Sequence, residues 1–139
     1  MFEFHGWITL RVDDSDDADI GVLRGREEVA VEQLDAAIRK HCDDISLFET
    51  RRTSNDLLVL VTHGLRNHAY AGVVNLYRWI AENLPQSYGI LYVHDDEHSK
   101  HGNEFRVFKL AQGKLSEHPD PFLSPYFPTV EKQWDGYDS

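Results

Sequence analysis

One cysteine, Cys42, in 139 residues rules out an internal disulfide, so nothing in the chain calls for an oxidising compartment. Long apolar runs are missing as well. None approaches the roughly 20 residues of a membrane-spanning helix. The opening MFEFHGWITLRV lacks the basic start and continuous apolar core of a signal peptide. The expectation is therefore a cytoplasmic protein. Positive charge is scarce, with 14 Lys and Arg against 24 Asp and Glu and a formal net charge of −10. Binding a phosphate backbone or an anionic membrane surface needs cations to neutralise it. The balance argues against nucleic acid and membrane partners and favours encounter with a basic protein. Solubility alone is the plainer reading of the same acidity. The chain also lacks a P-loop, GxGxxG, HExxH, CxxC and GxSxG, which lowers the case for an enzyme.

What is present reads as a single α+β domain over residues 1–139, with 41% hydrophobic residues to build a core. Phe2 to Val12 alternates, with Phe2, Phe4, Ile8, Leu10 and Val12 on one face and Glu3, His5, Trp7, Thr9 and Arg11 on the other, which predicts a strand. Arg26 to Asp44 has helical period through Val31, Leu34, Ile38 and Cys42, with Glu27 and Glu28 expected in its first turn and Arg39, Lys40 and His41 in its last. Ile45–Thr53 and Leu57–Thr62 are expected strands joined at Ser54-Asn55-Asp56, and Gly64 is expected to end the second. Asn67–Leu84 predicts a second helix closed by Pro85. Tyr88–Val93 and Glu104–Leu110 predict two further strands, and after Gln112-Gly113 comes a short last stretch. Residues 119–139 carry four prolines and predict an extended, docked tail.

The order β-α-β-β-α-β predicts a ferredoxin-like βαββαβ two-layer sandwich with one additional C-terminal strand. Right-handed crossovers place both helices on one face. The other face, carrying Trp7 and one side of the third strand, needs a cover, and the aromatic tail is the expected one.

Two constellations invite a chemical reading. Asp13, Asp14, Asp16, Asp17 and Asp19 place five carboxylates within seven residues. A calcium loop needs a glycine and a distal Glu at fixed offsets, and Gly21 and Glu27 fall at the wrong ones. The loop is expected to be solvated or to face a basic partner. His94-Asp95-Asp96-Glu97-His98-Ser99-Lys100-His101 offers three imidazoles and three carboxylates, but at no zinc-motif spacing. A solvated turn is the plainer reading, and Asp95, Asp96 and Glu97 are the candidate partner contacts within it. This turn is expected at the opposite end of the sheet from the Asp-rich loop. No catalytic, cofactor or metal residue is assigned. His5, His63 and His68 are expected to be structural, Cys42 a buried and inactive thiol, and Trp7, Trp79 and Trp134 core or tail anchors.

The segments FEFHGWITLR, YGILYVHDDE, NEFRVFKLAQGKL and HPDPFLSPYFPTVE, in that order, resemble the immunity protein seven family of bacterial polymorphic toxin systems, from Phe2 to about Glu131. The resemblance implies a cytoplasmic α+β protein that binds a cognate toxin domain and blocks it. Such toxins include those of contact-dependent growth inhibition, and many are nucleases. It assigns no contact residue. A small-molecule-binding regulatory module on the same sheet is the competing expectation, and a metal-dependent enzyme built on His94, His98 and His101 is a third.

Overall fold

The computed structural model describes residues 1–12 and 19–132. Within them the elements run β1 (Phe2–Thr9), α1 (Ile20–His41), β2 (Leu47–Arg52), β3 (Leu58–Arg66), α2 (Gly72–Asn83), β4 (Tyr88–Asp95), β5 (Arg106–Ala111), β6 (Lys114–Pro119) and the short α3 (Tyr126–Thr129). The strands form one six-stranded sheet in the order β2-β3-β1-β4-β5-β6, with every neighbouring pair antiparallel. The class is α+β. The sheet extends beyond β4 by two strands, where the sequence led us to expect one. The extra strand, KLSEHP, is polar and ends on proline, as suits an edge that pairs on one side only. It joins β5 through Gln112 and Gly113, both at positive φ (52° and 72°), the twist of a tight hairpin turn.

The core follows from alternation. Phe2, Phe4 and Ile8 of β1, Leu58 and Leu60 of β3, Leu91 and Val93 of β4, and Phe108 and Leu110 of β5 share one face. They meet Ala30, Leu34 and Ala37 of α1 and Val73, Leu76, Tyr77 and Ile80 of α2. At Gly6 a side chain is excluded, because a Cβ would lie on the Tyr77 hydroxyl, which donates to Ile90 O at 3.0 Å.

Several boundaries differ from expectation. Helix α1 starts at Ile20, not Arg26, because Asp19 caps it by accepting from Gly21 N–H at 2.7 Å. Its first turn holds no acid, and Glu27 lies further along, where it pairs with Arg52. Strand β3 does not stop at Gly64; it runs to Arg66, opposite Phe2, and the Phe4 ring fills the space a Cβ at Gly64 would take. The longer strand delays α2 to Gly72, where the expected start was Asn67. Tyr126 in the tail stacks on His94 at 4.2 Å between ring centroids.

Candidate interaction surface

Of the Asp-rich loop, Asp13, Asp14, Asp16 and Asp17 lie outside the described residues, as does Trp134. Asp19 is exposed and serves as the cap of α1. The loop leaves the sheet after Thr9, whose neighbour on β4 is Tyr88. Asp95 sits opposite Phe2, so the His94–His101 turn belongs to the other end of the sheet.

That turn is less solvated than expected. His94 and Asp95 are buried; β4 continues through both, and Tyr126 of the tail stacks on His94. His94 bonds through Nε2 to Gly102 O at 2.9 Å. Asp95 accepts from Glu97 N–H at 3.1 Å, which commits it to the turn. Asp96 and Glu97 are exposed. Asp96 holds the Met1 amine at 2.6 Å, and Glu97 meets His68 at 2.8 Å. The hydrogen bond from His68 is the chief reason the Glu97 carboxyl titrates below the usual carboxylate range. The Met1 amine is raised, chiefly by its bond to Asp96. Among the described residues no group of three or more His, Cys, Asp or Glu side chains is placed to hold a metal ion. Burial raises the Cys42 thiol, which leaves it a poor nucleophile.

The tail docks at one corner of the sheet. Asp120 is buried and accepts from Phe122 N–H at 3.0 Å, Leu123 N–H at 2.8 Å, the Ser124 hydroxyl at 3.1 Å and the Tyr92 hydroxyl at 3.3 Å. Asn103 binds Phe127 on both sides, accepting its N–H at 2.9 Å and donating to its carbonyl at 3.2 Å. These bonds draw the chain over His94 and Phe105 and set Pro121 and Phe122 beside the hollow at Trp7. Among the described residues the tail covers the second sheet face at Tyr92 and His94 and leaves Trp7 43% exposed, so Trp7 is not a core residue.

The face left open by the helices is ordered by strand register. Trp7 lies between Val61 and Ile90, and Ile90 is followed outward by Lys109 and then Ser116. One row along, His5 lies between His63 and Tyr92. His5 Nδ1 and His63 Nδ1 are 2.8 Å apart, and His5 Nε2 is 2.6 Å from Glu3 Oε2. If Glu3 is ionised, His5 donates from Nε2 and, when neutral, accepts from His63. Trp7 meets the edge of Tyr88 at 6.2 Å between centroids. Around these rings is a hollow of about 540 Å³, lined also by Ile90, Tyr92, Val107, Lys109, Ala111, His118, Pro119, Pro121 and Phe122.

The sequence places Trp7 and one side of β3 on this face but not their neighbours on β4 and β5. Tyr88, Ile90 and Tyr92 alternate with Gly89, Leu91 and Val93, so two apolar faces were legible in that strand. Lys109 and Phe122 carried no such mark, since only the pairing of β4 with β5 and the turn at Asp120 bring them to the hollow.

Comparison with known proteins gives one finding: the family model described as Immunity protein 7 matches residues 1–132. No curated protein and no solved structure matches the chain.

Proposed function

The chain belongs to the Immunity protein 7 family, and from that membership we propose that it binds and neutralises a cognate bacterial toxin domain in the cytoplasm by stoichiometric contact, without catalysis. The single observation that carries this reading is the family match across residues 1–132. The net charge of −10 supports a basic toxin domain, such as a nuclease that must present cations to phosphates. A toxin of contact-dependent growth inhibition fits the same reading. The acidic residues Asp13, Asp14, Asp16, Asp17 and Asp19, together with Asp96 and Glu97 in the turn after β4, are the proposed steering contacts. Asp95 contributes through the turn it holds. The ferredoxin-like description is proposed for the β2-β3-β1-β4 part of the sheet, in which β1 lies between β3 and β4.

Calorimetric titration of the toxin domain encoded beside this chain tests the reading. A tight one-to-one complex, with association slowing as salt rises, is the expected result. No complex at low salt would end it.

The hollow at Trp7 favours a second reading, a small-molecule-binding regulatory module, because about 540 Å³ lies within the range of ligand sites. A ligand that raises the melting temperature with no partner protein present would favour that reading over the first.

A further inference from the structure

Resting on the toxin-binding reading, we propose that the open sheet face is the docking surface and that its hollow receives an apolar side chain of the toxin domain flanked by a carboxylate. An antiparallel sheet with one solvated side normally turns polar residues outward. Here the outward residues Val61, Trp7, Tyr88, Ile90, Tyr92 and Val107 form a continuous apolar and aromatic strip by register. Exposed strips of this kind on a monomer mark contact sites, and half-exposed tryptophan and tyrosine are strong anchors once water is expelled. Trp7 and Tyr88 are 43% and 42% exposed, and their edge-to-face contact holds them apart as walls of the hollow.

Charge identifies the occupant. Lys109 lines the hollow, is exposed, and has no ion-pair partner among the described residues. His118 lines it too, bonded to the Ser116 hydroxyl at 2.8 Å. No carboxylate lines the hollow, and the Asp120 carboxylate behind it is turned to Phe122, Leu123, Ser124 and Tyr92. Among the described residues that line the hollow, Lys109 alone carries a formal charge, a cation in a molecule whose net charge is −10. Covering it with a purely apolar group would strip water from the Lys109 ammonium without compensation. A basic group would repel it. An apolar side chain beside an Asp or Glu satisfies both the rings and the ammonium. The acidic clusters then steer the partner, and the sheet face anchors it.

The test titrates the toxin domain encoded beside this chain into the wild-type protein and into Trp7→Ala and Lys109→Glu, each checked for folding by circular dichroism. We expect each substitution to raise Kd at least tenfold. In the wild-type complex, Lys109 should be protected from amine acetylation while Lys40 of α1 is not, a readout that needs no variant. Wild-type binding with both folded variants within twofold of it, and Lys109 labelled as in the free protein, overturns the proposal and leaves the toxin reading standing. Failure of the wild-type chain to bind removes the toxin reading itself, and this assignment with it. Saturable quenching of Trp7 by a small aromatic carboxylate, with Lys109 unprotected in the toxin complex, gives the hollow to a small molecule and also overturns the proposal.

Discussion

Tyr77 shows how a single side chain can determine what its neighbours must be. Its hydroxyl crosses the core to Ile90 O, and the only room for that path is the missing side chain of Gly6. Gly6→Ala should therefore overpack the core and cost about 1–3 kcal/mol, read as a lower urea midpoint with unchanged slope. The same burial holds the Tyr77 phenol neutral and raises its titration far above the ordinary range. Tyr70 is raised too, first by burial and then by Cys42 beside it. A phenol whose folded value exceeds its unfolded value adds stability that is complete below the unfolded value, about pH 10, and is lost as pH rises past it. Absorbance at 295 nm should show these two phenols ionising only together with alkaline unfolding, as monitored by circular dichroism. Early, separate ionisation of all the tyrosines would contradict the burial. Glu97 has the opposite sign. Its depressed value contributes above the ordinary carboxylate range and is lost as pH falls through it. His68→Ala should move the Glu97 titration back up in a carboxyl-detected NMR experiment.

At the scale of elements, capping and edges decide boundaries that apolar period cannot. Asp19 starts α1 ahead of its buried stripe, leaving Ile20, Val22 and Val29 exposed. Asp19→Ala should cost about 1 kcal/mol and loosen the first turn, visible as faster amide exchange at Gly21 and Leu23. The tail depends on Asn103 in a comparable way. Asn103→Ala removes two bonds to Phe127. The global stability should fall by no more than about 1–3 kcal/mol, while proteolytic cleavage within residues 121–132 accelerates. Cleavage at the wild-type rate would mean that Asp120 and Tyr126 alone hold the tail.

For the whole molecule, the question is which surface meets a partner. Reversing Asp13, Asp14, Asp16 and Asp17 together, with the helix cap Asp19 kept, should slow association with the toxin domain severalfold and flatten its salt dependence, with dissociation little changed. Stopped-flow measurement at two salt concentrations checks this. The same reversal at Asp96 and Glu97 tests the other cluster. Asp95 is excluded from that set, because its buried carboxylate would unfold the turn and confuse stability with binding. An unchanged association rate in both sets would remove the steering role of the acidic clusters.

Period-two alternation in Phe2–Val12, the strand pattern of Tyr88–Val93, helical period through Val31, Leu34 and Ile38 and through Val73 to Ala81, and the excess of acid were sufficient in the sequence to set the class, the helix layer and the charge. These properties depend on residues close together along the chain. The sixth strand was not legible, because KLSEHP is polar and becomes a strand only by pairing with β5. Nor was the buried state of His94, which depends on a tail that returns some thirty residues later. The hollow at Trp7 belongs wholly to the tertiary structure. Register brings Lys109 beside Ile90, the turn at Asp120 sets Phe122 at the rim, and no local pattern encodes contacts between strands so far apart in sequence.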